Sequence, residues 1–240
     1  GRAGRSSVCR VLRNDPAQYD GLADQWWEGQ GGFAALHWLA ASRAENIPPA
    51  AHPDAVLVDL ACGGGLMAPH VARLGYRHVG VDLGLAGLRV AREHGVRPVR
   101  GSVLAVPLAD GCADVVVAGE VLEHVADDVT VIEECARLLR PGGVLVIDAL
   151  PATWLAALLL VRIGEHVPGG PPAGIHDPAL FVDRRRLLAA ADGVGIDLRL
   201  VGLRPSVRDL LAWRRGRRAV VRMKPVRSTA VVFAGYGTRR

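Results

Sequence analysis

Apolar residues in this chain fall into short runs separated by segments of helical spacing, and the alternation is regular from residue 55 to residue 149. The run 55–58, Ala-Val-Leu-Val, has no polar position, as a strand covered on both faces requires. It passes through Asp59 and a glycine-rich turn into 66–74, whose spacing predicts a helix. Further strands are predicted at 78–82, 96–102, 113–119 and 144–148. A helix rich in Leu and Arg and the turn Arg140-Pro141-Gly142-Gly143 precede the last of these. Strands alternating with helices predict a parallel sheet with helices on both faces. Residues 33–44 carry helical spacing, and Asp15-Pro16 places an N-cap residue before a first-turn proline. Residues 183–191 read as a basic helix, and 198–203 and 228–233 as closing strands.

This pattern divides the chain into a loose, polar stretch 1–14 and one domain over 15–240. The domain comprises a helical cap (15–50), a βα core (55–149), an insert on the substrate side (150–182) and a C-terminal part of the core (183–240). At 240 residues, half of them hydrophobic, it can bury a sizeable core. No apolar run reaches the ~18 residues of a spanning helix. The basic start lacks the apolar centre of an export signal. Cys9, Cys62, Cys112 and Cys135 have no metal-binding spacing and point to a reducing, cytoplasmic setting. The net charge is +5, carried almost entirely by arginine, with Lys224 the one lysine. Few aromatics accompany these arginines, so they read as a solvated face rather than a nucleic-acid surface.

The chemistry concentrates in the turn Asp59-Leu60-Ala61-Cys62-Gly63-Gly64-Gly65. A strand, a glycine turn and a helix start form the usual ligand site of an open α/β sheet. The third glycine of a dinucleotide fingerprint would fall on Leu66, and no Gly-Lys-Ser/Thr of a phosphate-binding loop exists. What remains, D-x-A-x-G-G-G, is close to the signature of S-adenosylmethionine (SAM) methyltransferases. Ala61 stands where the first glycine is usual, and its methyl group requires a negative φ there. Asp82 ends the second strand, where an acid can accept both hydroxyls of a ribose. Cys62 reads as a small buried residue rather than a nucleophile.

With these elements stand Trp26-Trp27 followed by Phe33 and Leu36-His37, the segment Glu120-Val121-Leu122-Glu123-His124-Val125, and Gly174-Ile175-His176-Asp177 before Phe181-Val182. On them, over about residues 16–205, the chain resembles the ubiquinone-biosynthesis O-methyltransferases, which methylate hydroxyls of polyprenyl catechols and quinols. The resemblance implies a Rossmann-like class I methyltransferase sheet, mostly parallel with an antiparallel C-terminal strand, and SAM as methyl donor. It places Arg43, Ala61, Asp82 and Gly119 against SAM. Asp59, Gly63, Gly65, Leu83, Ser102 and Val103, at or beside the strand ends, complete the expected cofactor contacts. Glu120, Glu123 and His124 align with residues that bind a divalent metal, Mg or Zn, in some members.

Glu120 and His124 are candidates for catalysis, with His176 from the insert, because a phenol with pKa ~10 needs help to lose its proton. The alternatives are solvated or capping glutamates, a backbone-bonded His124, and a turn in which Asp177 caps the next helix. The acceptor is expected to be a phenol, catechol or quinol; the other readings are N- or C-methylation of a natural product, a non-catalytic SAM-binding module, or a nucleic-acid-associated SAM protein. The charge-free block Trp154 to Val161 within 151–167 is apolar on all sides. It is expected either in the core or against a membrane surface, with arginines adding attraction to anionic lipid. The segment Trp213 to Arg218 departs from the family pattern.

Overall fold

The computed structural model describes residues 13–14, 17–166 and 171–240. A cap of two helices, α1 (Ala17–Asp20) and α2 (Ala34–Ala44), precedes strand β1 (Val56–Leu60). The core continues through α3 (Ala68–Leu74), β2 (Arg77–Asp82), α4 (Leu85–Glu93), β3 (Arg97–Arg100), β4 (Ala113–Gly119), α5 (Asp128–Leu138) and β5 (Leu139–Ala149). The insert opens with α6 (Trp154–Ala156), which runs on into a π-helical segment Ala157–Ile163. The chain closes with α7 (Arg184–Gly193), β6 (Ile196–Pro205), α8 (Val207–Arg214), β7 (Met223–Val226) and β8 (Phe233–Arg239).

The eight strands form one sheet in the order β3-β2-β1-β4-β5-β8-β6-β7. The first five are parallel, and β8 enters antiparallel between β5 and β6. Alternate side chains of each strand leave opposite faces, and the burial follows that period. Leu57, Val115, Val117 and Val146 pack with Ala40 of α2, Val71 of α3 and Met67 just before α3. Their neighbours Val58, Val116, Leu145 and Ile147 pack with Ile132, Cys135 and Leu138 of α5 and Leu187 and Ala191 of α7. Both faces of the sheet are thus covered, which is why the central strands carry almost no polar residue. Helix starts are fixed by acids: Asp183 accepts from the Arg185 and Arg186 amides, and Asp127 accepts from Thr130.

The expected class, an α/β sheet that is mostly parallel with an antiparallel C-terminal strand, is the one observed. Its last part differs in register. The β-branched run 228–233 is not the final strand; only its last residue joins β8, and β7 is an additional edge strand. The hidden strand contains Gly235 and Gly237, residues that weaken a strand pattern. Both are needed by packing. A Cβ on Gly235 would lie 2.8 Å from Ile147 and Leu200, and one on Gly237 would lie 2.5 Å from the Asp197 carbonyl. The turn expected at 140–143 is taken into the start of β5, with Gly142 at φ 78° and a register shift between Ala113 and Val115.

Candidate active site

The carboxyl ends of β1, β2 and β4, the cap and the insert surround one cavity of about 400 Å³. On its β1 side the glycine turn is shaped by positive φ at Ala61 (54°), Gly63 (49°) and Gly65 (76°). The expectation of a negative φ at Ala61 fails. The methyl group is carried in the left-handed region, at a cost of ~1–2 kcal/mol. The glycines are demanded by a neighbour within the chain itself. A Cβ on Gly63 would lie 2.4 Å from the Trp26 ring, and one on Gly64 2.5 Å from it. Trp26 in turn stacks on Phe33 at 4.5 Å and on Tyr19 at 6.0 Å. The adjacent Trp27 donates its indole N–H to the Gly64 carbonyl at 3.0 Å. Adjacent tryptophans thus hold the loop from two sides, Trp26 lining the cavity and Trp27 outside its lining.

Asp82 joins loop and strand. Its Oδ2 accepts from the Gly63 amide at 2.9 Å and its Oδ1 from the Gly84 amide at 2.8 Å. A carboxylate oxygen has two acceptor sites, so each retains one for a ligand hydroxyl. Burial raises the Asp82 pKa, against the pull of these amides. Asp59, 3% exposed and 3.4 Å from the His78 ring nitrogen, also lines the cavity, as do Leu83 and Val103. Two carboxylates, Asp59 and Asp82, face it against one cation, Arg43, a balance that favours a positively charged ligand such as a sulfonium.

Arg43 is 8% exposed and its Nε donates to Asp148 Oδ2 at 2.5 Å. The guanidinium lies so close to Gly119 that a Cβ there would sit 2.3 Å from it. Asp148 Oδ1 accepts from the Glu120 amide at 2.9 Å, and the Asp148 carbonyl accepts from the same amide at 3.0 Å. Glu120 is held by these bonds at φ 52°. Such a conformation at a non-glycine residue is rare and concentrates at functional sites. Burial, then the Asp148 charge, raises the Glu120 carboxyl to about 8, so it carries its proton at neutral pH.

Two expected cofactor contacts do not reach the cavity. Gly65 packs against α4, where a Cβ would lie 3.0 Å from Ala91. Ser102 turns into its own loop, its hydroxyl accepting from the Leu104 amide at 3.1 Å, while Gly101 lines the cavity in its place. The metal set Glu120, Glu123 and His124 is not brought together. Glu123 is fully buried and outside the cavity lining, its carboxyl pushed well up by burial and then by Glu120. Among the described residues no three His, Cys, Asp or Glu side chains form a group that could hold a metal ion. These residues do not fit the expected Mg or Zn site. The reason is local: Leu122–His124 is a tight 3-10 turn entered from a left-handed Glu120, not the regular helical turn that puts positions i, i+3 and i+4 on one side.

His124 and His176 do meet. Their rings line the cavity with centroids 5.3 Å apart. Burial lowers the pKa of both, His124 to about 3 and His176 to about 4, so both are neutral at pH 7. Asn14, from the stretch expected to be loose, bonds His124 twice: His124 Nδ1 to Asn14 Oδ1 at 2.5 Å, and Asn14 Nδ2 to the His124 carbonyl at 2.9 Å. No sequence signal marks that pair, which spans 110 positions. Asp177 caps the turn Pro178–Leu180 as expected, by accepting from the Ala179 amide. Burial raises the Cys62 thiol pKa, in keeping with an inert buried residue.

SAM fits the polar groups on this side of the cavity: acceptor sites on Asp82 and the acids around it, and the unpartnered buried atoms Trp26 Nε1, a donor, and Glu120 Oε1. We therefore expect Asp82→Ala to weaken SAM binding by roughly 1.5–3 kcal/mol, tenfold or more, the range for hydrogen bonds of a charged group. Isothermal titration calorimetry decides this; unchanged affinity would remove Asp82 from the cofactor site.

Residues 58–147 match the family described as "Methyltransferase domain". A ubiquinone biosynthesis O-methyltransferase of Idiomarina loihiensis is 34% identical over 211 residues, covering 83% of this chain and 86% of that protein. Another, of Caulobacter vibrioides, is 34% identical over 75% of this chain and 79% of its own length. Among solved structures, a SAM-dependent methyltransferase of Thermotoga maritima superposes with a TM-score of 0.66 at 17% identity, covering 93% of this chain and 97% of that one, a likeness of fold. With this site on this sheet, the chain belongs to the ubiquinone biosynthesis O-methyltransferase family and is a SAM-dependent O-methyltransferase.

Proposed function

We propose that the methyl acceptor is a phenolic hydroxyl of a catechol or quinol bearing an apolar tail, and that His124 accepts its proton. The observation that carries this is the composition of the cavity beyond the cofactor side. Leu36, Leu39, Leu150, Leu160, Ile175 and Val232 line it, with His124 and His176 as the polar groups among them. An apolar tail gains ~25 cal/mol per Å² buried on such a wall. The polar ring of the acceptor finds partners at the histidines, with Asn14 and Tyr19 in the same lining.

SAM, when bound, supplies a methyl group activated by a sulfonium. The chain's own residues do the rest. The cap and the glycine loop fix the donor side, and the apolar wall and insert fix the acceptor. Holding two reactants in line contributes on the order of 7–11 kcal/mol. His124 gives Nδ1 to Asn14, which leaves Nε2 to take the hydroxyl proton as the ether oxygen forms its new bond. Burial, which lowers the pKa of the ring, opposes this step, and the bond from Nδ1–H to Asn14 offsets part of that cost. His176, 5.3 Å away between ring centroids and with an unpartnered Nδ1, is the second imidazole at the site, and among the described residues no bond of the kind Asn14 makes fixes its ring. His124→Ala should therefore retain SAM affinity and lose on the order of 10²–10⁴ in kcat, the usual contribution of a positioned base. Turnover of a prenylated catechol, measured beside SAM titration, tests this; wild-type kcat in the variant would reject His124.

The same reading favours contact with an anionic membrane surface, from which a prenylated acceptor would be drawn. No helix among the described residues is long and apolar enough to cross a membrane. The helix that walls the cavity through Leu160 exposes Trp154 (76%), Leu158, Leu159 and Ile163. Residues 204–227 carry nine Arg and Lys against one acid, Asp209. That acid is buried and already bonded to Arg218 and Arg222. Pro205 and Met223 of this basic part line the same cavity as Leu160, so both segments border it. Each arginine near anionic lipid adds about 1 kcal/mol, screened by salt. The enzyme should cosediment with phosphatidylglycerol vesicles at low salt and release at high salt. Trp154→Gln with Leu158→Gln should weaken the binding. No binding at low salt, or binding unchanged in that variant, contradicts the contact.

A further inference from the structure

A buried imidazole serves as a proton acceptor through one nitrogen only if the other nitrogen holds the proton. In this protein the second nitrogen of His124 has a defined partner. Asn14 Nδ2 donates to the His124 carbonyl at 2.9 Å, and a carbonyl oxygen can only accept. That bond fixes which way the Asn14 amide faces. The oxygen Oδ1 is then the atom 2.5 Å from His124 Nδ1, and an amide oxygen has no proton to give. The proton between them belongs to the imidazole, so Nδ1 is N–H and Nε2 carries the lone pair. Nε2 has no protein partner among the described residues, and the ring lines the cavity.

Asn14 is itself held in place. Its backbone sits at φ 58°, a region asparagine tolerates better than most residues. Its amide donates to the Gly174 carbonyl at 3.0 Å. The preceding Arg13 donates to the His176 carbonyl at 2.8 Å and pairs with Glu165 at 3.0 Å, and Glu165 accepts from the Gly174 amide at 3.1 Å. Residues 13–14 are thus stitched to the insert at 165, 174 and 176 and to the core at 124. Both partners of His124's ring plane, Tyr19 at 6.1 Å edge-on and His176 at 5.3 Å, belong to the cap and the insert. None of them bonds Nδ1.

We propose that Asn14 is a positioning residue for methyl transfer: its carboxamide locks His124 in the Nδ1–H tautomer and turns the Nε2 lone pair toward the acceptor hydroxyl. The inference rests on His124 being the proton acceptor. It gives the N-terminal segment a function in the chemistry that its polar, unpatterned sequence does not announce. An asparagine rather than an aspartate at this place orients the ring without adding a charge beside it.

The test uses the full chain labelled with ¹⁵N-histidine and two variants. Asn14→Leu removes both bonds, whereas Asn14→Asp keeps an acceptor opposite Nδ1. In the wild type the His124 ring nitrogens should resonate as a protonated Nδ1 and an unprotonated Nε2. In Asn14→Leu this pattern should shift toward the Nε2–H tautomer, and kcat on a prenylated catechol should fall on the order of 100-fold, within the range a positioned base contributes. SAM affinity, measured by calorimetry, should stay within twofold, which also reports an intact fold. Asn14→Asp should recover the tautomer and most of kcat. An unchanged ¹⁵N pattern in Asn14→Leu, or equal loss of kcat in both variants with the tautomer kept, overturns the proposal. If the tautomer shifts while His124→Ala keeps wild-type kcat, the lock stands and the assignment of His124 as proton acceptor falls.

Discussion

The buried ion pair between Arg43 and Asp148 is the constraint on which the site depends. It joins α2 of the cap to the end of β5, two parts of the chain separated by 105 positions. Two charges buried this deeply are costly, and removing either partner leaves the other uncompensated. The pair therefore acts as a condition on the fold: cap and core must dock in one register or not at all. Its reach extends further, because the second oxygen of Asp148 holds the Glu120 amide, and Glu120 opens the turn that carries His124. Glycine at 119 follows from the same pair, since the guanidinium occupies the space a side chain would take.

The cap reaches the cofactor loop by a second route, the Trp26 ring pressed on Gly63 and Gly64. Glycines in such turns are usually explained by the approach of a ligand. Here a tryptophan of the same chain already requires them, with Asp82 holding the loop from the other side. Cap, loop and strand ends are one packed unit, and the cavity is what that unit leaves open. The insert and residues 13–14 close it from the acceptor side, bringing His176 and Asn14 to His124.

The parts of this arrangement that repeat were legible in sequence. The βα period, the glycine loop, Asp82 at the end of β2 and the helix at 33–44 follow from local patterns that tertiary packing did not override. What was hidden depends on contacts between distant residues. The strand 233–239 is masked by Gly235 and Gly237, which are there because Ile147, Leu200 and Asp197 come too close for side chains. Ala61 looked incompatible with a positive φ, yet the loop, pinned by Trp26, Trp27 and Asp82, imposes one. Spacing put Glu120, Glu123 and His124 on one face only for a regular helix, and the left-handed Glu120 breaks that regularity. Asn14 carries no pattern at all; its meaning lies in one orientation of an amide.

A double-mutant cycle on Arg43 and Asp148 tests the central claim most directly. Unfolding in urea would be followed for Arg43→Met, Asp148→Ala and the double variant, with SAM affinity measured for each. Each single variant should lose ~3–5 kcal/mol, as expected when one member of a buried pair is removed. The double variant should recover part of that loss, with a coupling of about 2–3 kcal/mol, while SAM binding stays impaired because Glu120 and Gly119 have lost their brace. Additive losses, or single variants that remain stable and bind SAM like the wild type, would contradict the account.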